Sequence, residues 1–195
     1  MQDFRRLSRR TMLLSGLATF AWPDPAPAEE ELFPVRRVPD SAIDPAFRRA
    51  VIAAFPYPAD KGPVVVNTQR RVLHVALKDG RAIRYGVAVG RAGEAWTGMA
   101  EVGRKIRWPA WTPTTAMLAN QPGLSYTIEG GPGNPLGARA LYLYQEGRDT
   151  RFRVHGACDP RLLGRSVSSG CIRMLDQDVI DLYDRVPLKA RVTVL

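Results

Sequence analysis

The sequence predicts a mainly β protein with a few short helices. From residue 64 onward, short runs of β-branched and apolar residues recur, and turn-forming residues such as Gly, Pro, Asn and Asp separate them. A clear helical pattern of apolar residues is confined to residues 178–186. The chain has no internal repeat and no low-complexity stretch, so one β-rich domain is expected.

Composition limits the class of protein. The chain has 195 residues, of which 45% are hydrophobic and 24% are charged, the proportions of a folded soluble domain. The longest uncharged stretch near an end, residues 11–23, is shorter than the roughly 20 residues of a membrane span. Two cysteines and scattered glycines and prolines exclude a collagen and a disulfide-dense miniprotein.

The charge of the chain is strongly positive. Lys and Arg total 28 against 19 Asp and Glu, which gives a net charge of +9, and the pI is about 10.1. This balance favours an anionic partner, such as nucleic acid, a membrane surface or an acidic cell-wall polymer. No basic stripe is interleaved with aromatic residues, so nucleic acid is not the expected partner.

Residues 1–28 have the features of an export signal. Four arginines between residues 5 and 10 precede a mildly apolar run, and Ala26-Pro27-Ala28 offers a cleavage site. Residues 8–13 resemble the twin-arginine export signal. We expect this segment to be removed, which leaves a periplasmic or envelope protein of net charge +7 with no transmembrane domain. An uncleaved anchor and an ordinary secretory signal remain alternatives.

Residues 29–61 are interpreted as an N-terminal extension or linker, because they contain five prolines. Asp44 followed by Pro45 predicts the start of a short helix that continues to residue 54. The first strands are expected at residues 64–67, 72–77 and 82–89. Lys78-Asp79-Gly80 is a hairpin signal between the last two.

A loop-rich middle is expected between residues 96 and 137, where tryptophan, glycine and proline are frequent. Strands are expected again at residues 140–144 and 151–154, and a last strand at 192–195. The helix over residues 178–186 has Asp176 as a plausible N-cap.

Chemistry that uses a cysteine and a histidine has few candidates, since the chain contains two of each. His74 lies in the middle of a predicted strand and is interpreted as a partly exposed residue without a catalytic task. His155 ends a predicted strand, and Gly156 allows a tight turn that presents its imidazole at the mouth of a loop.

Cys171 is the candidate nucleophile. A thiol reacts as its thiolate and needs a base or a positive charge nearby, and Arg173 supplies such a charge. Gly170 allows a bend that directs backbone N–H groups toward a developing oxyanion. Three alternatives remain at this point: a disulfide between Cys158 and Cys171, a zinc site that includes His155, and a buried structural thiol.

Three short motifs lie close together toward the carboxyl end. They are His-Gly-Ala-Cys-Asp-Pro at 155–160, Gly-Arg at 164–165 and Ser-Ser-Gly-Cys-Ile-Arg-Met at 168–174. Together they resemble the signature of the L,D-transpeptidase (YkuD-type) family, and the similarity covers residues 62–195. The resemblance implies an exported bacterial cell-wall enzyme with a β-sandwich-like catalytic domain over that range.

The resemblance also implies a role for the residues of these motifs. Cys171 is implied as the nucleophile and His155 as the general base and acid. The backbone carbonyl of Gly156 is implied to orient the imidazole. Backbone N–H groups of Ser169, Gly170 and Cys171 are implied to form the oxyanion hole.

The resemblance implies roles for two further residues, and the chain departs from the family pattern at two positions. Arg173 is implied to hold an anionic group of the substrate, and Ser168 is expected to brace the loop rather than react. Many relatives have a histidine in place of Ser169, and a thiol at Cys158 is unusual and could pair reversibly with Cys171. No metal and no organic cofactor is expected, because a thiolate–imidazole pair and an oxyanion hole supply the chemistry.

The implied reaction is acyl transfer on peptidoglycan stem peptides. The cysteine is acylated by a tetrapeptide stem, D-alanine leaves, and an amine from a second stem, an envelope protein or a D-amino acid resolves the thioester. A hydrolase of the same family, either a carboxypeptidase or an amidase, is the nearest alternative. A non-catalytic wall-binding module is the second.

Overall fold

The computed structural model describes residues 30–91, 94, 96–120, 123 and 127–195. The predicted export signal therefore lies outside the described residues. Within these ranges, no helix is both long enough and apolar enough to cross a membrane.

The described part of the chain contains eleven strands and two α-helices. In chain order these are β1 (Ala50–Ile52), β2 (Val64–Asn67), β3 (Val72–Ala76), β4 (Ala82–Gly86), β5 (Val89–Gly90), β6 (Gly98–Arg107), α1 (Thr115–Asn120), β7 (Arg139–Gln145), β8 (Arg148–His155), β9 (Ser166–Ser168), β10 (Ile172–Arg173), α2 (Asp176–Arg185) and β11 (Arg191–Val194). Short 3-10 helices lie at Asp40–Ala42, Pro45–Phe47, Ala59–Lys61 and Pro160–Leu162.

Nine of these strands form one sheet in the order β1-β4-β3-β2-β11-β6-β7-β8-β10, and β5 pairs with β9 beside it. The last strand, β11, joins the two halves, because it runs parallel to β2 and antiparallel to β6. The short strand β10 lies at the edge, parallel to β8. The predicted mainly β class is confirmed, with the β-sandwich-like architecture that the resemblance implied.

The main core lies between one face of this sheet and α2. Alternate residues of the strands point into it, such as Val64 and Val66 of β2 and Leu141 and Leu143 of β7. Helix α2 adds Val179 and Leu182. This helix has acidic residues in its first turn and Arg185 in its last, which suits its macrodipole.

The helix expected over residues 45–54 is wrong. Asp44 does cap, since Ala46 N–H donates to its side chain at 2.9 Å, but the 3-10 helix Pro45–Phe47 ends after one turn. The following residues form β1, which pairs antiparallel with β4. Val51 and Ile52 are β-branched, and the open edge of β4 offers backbone hydrogen bonds that a short isolated helix cannot match.

The prediction of a loop-rich middle over residues 96–137 was also partly wrong, because this region contains the ten-residue central strand β6 and the helix α1. Only one face of the first half of β6 is apolar, with Ala100 and Val102 buried and the charged Glu101 between them. A bulge at Gly103 then shifts the alternation. A Cβ on Gly103 would lie 2.4 Å from the Tyr144 ring. The β-branched or aromatic side chain by which a strand is predicted from sequence therefore does not fit at this position.

The described part of the N-terminal extension packs onto the domain. Ile43 and Phe47 belong to a second apolar cluster with Cys158, Leu163 and Leu175. This cluster supports the segment that connects the two sequence motifs of the candidate site.

Candidate active site

Strand β8, which ends at His155, lies beside β10, which begins one residue after Cys171. The parallel register pairs Arg173 with His155 and Ile172 with Val154. Because paired residues of adjacent strands point to the same face of a sheet, the side chains of His155 and Arg173 lie on one face. The backbone N–H of Arg153, on β8, acts on the Cys171 thiol to lower its pKa.

The imidazole of His155 is held by the backbone of the next residue. Its Nδ1 lies 2.9 Å from the carbonyl oxygen of Gly156, and the side chain is buried. A carbonyl can only accept, so Nδ1 carries the hydrogen and Nε2 keeps its lone pair. Gly156 is itself fixed, because its N–H donates to the carbonyls of Leu136 at 2.9 Å and Arg139 at 3.2 Å.

Ser168 holds the loop that carries Cys171. Its Oγ donates to the carbonyl of Cys171 at 2.5 Å and accepts from the N–H of Gly170 at 3.3 Å. In this conformation the Gly170 amide is therefore engaged with Ser168. Its expected place in an oxyanion hole requires that this long contact be given up.

Gly170 is required at its position by both conformation and space. Its φ is +114°, and a Cβ would lie 2.3 Å from a ring carbon of Phe152 and 2.7 Å from the carbonyl of Glu94. We expect Gly170→Ala to lower the free energy of unfolding by about 2–3 kcal/mol, from backbone strain plus overpacking.

Gly80 provides the matched control for this substitution. Its φ is +81°, but a Cβ there would meet nothing within 4 Å. Gly80→Ala is expected to cost about 1 kcal/mol, from backbone strain alone. Equal unfolding energies for the two variants in urea titrations would contradict the steric part of the account.

Burial keeps both candidate catalytic groups neutral at rest. It raises the pKa of the Cys171 thiol above its ordinary value, although the Arg153 amide and the charges of Arg153 and Arg173 partly oppose this. It lowers the pKa of His155 to about 4, and the charge of Arg173 contributes to this decrease. The structure thus favours a neutral thiol and a neutral imidazole over the thiolate–imidazole pair that the sequence suggested.

This arrangement predicts the pH dependence of Cys171 alkylation by iodoacetamide in the absence of substrate. A raised thiol pKa means little thiolate at pH 7, so we expect the rate to be lower than that of a free cysteine and to rise beyond pH 9. Peptide mapping by mass spectrometry separates Cys171 from Cys158. A rate that is already constant between pH 5 and 8 would indicate a resting ion pair and contradict this account.

Arg173 lies beside both groups. Its backbone pairs with Ala88, through an N–H to Ala88 O at 2.8 Å and a carbonyl that accepts from Ala88 N–H at 2.9 Å. Its Nε is buried and has no hydrogen-bond partner among the described residues. The side chain as a whole is half-buried, and the positive charge of its guanidinium suits an anionic group of a ligand.

The remaining cysteine and histidine play a different part. Cys158 and Cys171 are both free thiols, and burial raises the pKa of Cys158 to about 12. Among the described residues, no group of three potential ligands is placed to hold a metal ion.

His74 is 6% exposed, so the expectation of a partly exposed residue was wrong. Its strand β3 lies five positions from β8 in the sheet order.

Two acidic residues near the site were not predicted to act there. Asp176, interpreted as a helix cap, is the first residue of α2, and its Oδ1 accepts from Ala138 N–H at 2.8 Å and Ala157 N–H at 3.1 Å. Glu31 forms a two-pronged ion pair with Arg139. No local pattern signals either role, because the partners are 19 to 108 residues away along the chain.

The fold thus places the histidine at the end of β8 and the cysteine directly before the adjacent strand β10. Residues 62–194 match the family model of the L,D-transpeptidase (YkuD) catalytic domain. The chain therefore belongs to the L,D-transpeptidase family.

Curated relatives and solved structures agree with this assignment. The probable L,D-transpeptidase YbiS of Escherichia coli is 31% identical over 141 residues, 68% of this chain and 44% of that protein. A putative L,D-transpeptidase of Fuscovulum blasticum is 37% identical over 98 residues, 50% of this chain and 49% of that protein. The chain thus spans about half the length of these relatives.

Among solved structures, an L,D-transpeptidase from Mycobacterium smegmatis has the same fold, with a TM-score of 0.52, 16% identity and coverage of 69% of this chain and 58% of that one. A protein from Brucella melitensis is 42% identical, with a TM-score of 0.51 and coverage of 79% of this chain and 97% of that one. That protein is described as a probable carnitine operon oxidoreductase.

Proposed function

We propose that this protein is an exported peptidoglycan L,D-transpeptidase that acts through a Cys171 acyl-enzyme. The observation that carries the proposal is the orientation of His155. Its Nδ1 faces the Gly156 carbonyl at 2.9 Å, so Nε2 is left as the basic atom, and the proposal places the Cys171 thiol within its reach.

In the first half-reaction, Cys171 Sγ bonds to the carbonyl carbon of the third residue of a tetrapeptide stem. The thiol proton passes to His155 Nε2 in the same step, which suits two groups that are neutral at rest. Backbone N–H groups at residues 169–171 stabilise the oxyanion. The C–N bond then breaks, His155 returns the proton to the leaving amine, and D-alanine departs from a thioester.

In the second half-reaction, an acceptor amine bonds to the thioester carbon. His155 takes a proton from this amine and gives it to the departing Cys171 sulfur, so the enzyme is regenerated. Arg173, whose side chain is half-buried, holds an anionic group of the stem through the charge of its guanidinium. The acceptor is a second stem, an envelope protein or a D-amino acid.

Charge and the N-terminal segment support the proposed location. Residues 1–28 have the pattern of an export signal, and the rest of the chain keeps a net charge of +7, which suits a polyanionic wall. The named relatives in Escherichia coli and Fuscovulum blasticum are L,D-transpeptidases by name, which supports the reaction class.

The proposal is tested with tetrapeptide muropeptides and mass spectrometry of the products. We expect the protein to form a dimer that lacks one D-alanine, and Cys171→Ala to form none. Tripeptide monomer alone would favour the hydrolase. If neither protein turns over the substrate, the wall-binding module becomes the better description.

A further inference from the structure

We infer that Asp176 is a positioning residue that acts on His155 through the Gly156–Ala157 peptide, an inference that rests on the proposed function. The carboxylate of Asp176 lies at the start of α2, where a negative charge is favourable. It does not cap its own helix, whose N-cap is Leu175. Instead, it binds backbone N–H groups of two other segments.

The peptide that joins Gly156 to Ala157 is held at both ends. Its carbonyl oxygen, from Gly156, is 2.9 Å from Nδ1 of His155. Its N–H, from Ala157, donates to Oδ1 of Asp176 at 3.1 Å. In a trans peptide these two groups point in opposite directions, so carboxylate, peptide and imidazole form one line of hydrogen bonds.

The backbone around this peptide is shaped to fit the carboxylate. A Cβ on Gly156 would lie 2.0 Å from Asp176 Oδ1, and a Cβ on Gly137 would lie 2.3 Å from the same atom. Ala157 has a φ of +57°, a left-handed conformation that costs energy for a residue with a side chain. The bond from its N–H to Asp176 offsets this cost.

The same oxygen of Asp176 also accepts a hydrogen bond from a second segment. It accepts from Ala138 N–H at 2.8 Å, and the neighbouring carbonyls of Leu136 and Arg139 accept from Gly156 N–H. One carboxylate oxygen therefore fixes both the turn that follows His155 and the segment that anchors this turn. Without it, the Gly156–Ala157 peptide keeps only the contact of its carbonyl with His155, and we expect the Gly156 carbonyl to select one tautomer of His155 less strongly.

The arrangement places Asp176 where a direct acid would stand in a hydrolase triad, but one peptide further away. In such triads the acid fixes the imidazole tautomer and orientation. Here the Gly156 carbonyl makes the direct contact, and Asp176 orients and polarises that carbonyl. No local sequence pattern predicts this role of Asp176, because Asp176 is 21 positions from His155.

The test compares Asp176→Ala, Asp176→Asn and the control Asp79→Ala, all in the full chain. Asp79 also accepts from a backbone N–H, that of Arg81 at 3.0 Å, but in a distant hairpin turn. The readouts are the ¹⁵N spectrum of the imidazoles, which is simple because the chain has two histidines, and kcat and KM on tetrapeptide muropeptides.

We expect Asp176→Ala to convert His155 from the Nδ1–H form to a mixture of tautomers and to lower kcat at least tenfold, with KM changed less than twofold. Asp176→Asn keeps an acceptor oxygen and is expected to retain the tautomer and kcat within threefold. Asp79→Ala is expected to match the wild type. Where the alanine variant does not fold, Asp176→Ser, whose side chain is too short to reach both amides, carries the same expectation.

An alanine or serine variant with the wild-type tautomer would overturn the inference, even if its stability were reduced. So would an asparagine variant with the tautomer mixture expected of the alanine variant. Failure of the proposed function would be recognised separately, because the wild type would then show no turnover while the ¹⁵N spectra would still decide the role of Asp176.

Discussion

Replacing His155 with alanine is expected to lower turnover on tetrapeptide muropeptides by about 10²–10⁴-fold, the usual contribution of a general acid–base group. The side chain is buried, and its Nδ1 is held by the Gly156 carbonyl, so no other group described near Cys171 can take the thiol proton in the same position. Steady-state kinetics with mass-spectrometric detection of products measures the effect.

His74 is the matched control, since it is the other histidine of the chain and is also buried. Burial lowers its pKa to about 4, as for His155, but its ring packs on Tyr57 in a distant part of the sheet. His74→Ala is expected to lower stability while leaving turnover within threefold. Equal losses of turnover in the two variants would show that burial, rather than proton transfer, explains the first result.

Replacing Glu31 with glutamine is expected to lower the free energy of unfolding by about 3 kcal/mol, because it leaves a buried charge without its partner. Arg139 is 4% exposed and donates to both carboxylate oxygens, at 2.9 and 2.6 Å. Trp108 Nε1 donates to the same carboxylate at 2.6 Å, and its ring packs edge-on against Phe33. Urea unfolding at pH 7 measures the change.

The control is Glu101→Gln, which breaks an exposed pair with Lys189 and is expected to cost less than about 1 kcal/mol. The hydrogen bond from Arg139 holds the pKa of Glu31 below its ordinary value of 4.5. The stabilisation of the folded state by the ionised Glu31 carboxylate is therefore complete above pH 4.5, and it is lost as the pH falls through the folded-state pKa of Glu31. A loss from Glu31→Gln no larger than that of the control would contradict the buried-pair account.

Much of the fold could be predicted from local sequence, but not the elements that depend on distant partners. Strand β2 was expected with its observed bounds, because consecutive valines suit a strand buried on both faces. Strand β6 was missed because its outward residues are charged and Gly103 interrupts the alternation. Strand β1 was expected to be helical, since its identity comes from pairing with β4.

The candidate site divides in the same way. His155 and Cys171 could be proposed because glycine and arginine accompany them in short motifs, and the sheet pairs the strand that ends at His155 with the strand that follows Cys171. The protonation states of these two residues could not be predicted. Burial raises the pKa of the thiol and lowers the pKa of the imidazole, and both shifts favour the neutral forms. The contacts of Asp176 and Glu31 could not be predicted either, because each joins segments that are far apart in the chain.

The most direct test of the account is to find the covalent intermediate. The protein is mixed with a tetrapeptide muropeptide, quenched with acid and digested, and the cysteine peptides are weighed by mass spectrometry. The account predicts a stem acylated at its third residue on the peptide that contains Cys171, with Cys158 unmodified. Product formation without an adduct on Cys171, or with an adduct on Cys158, would contradict it.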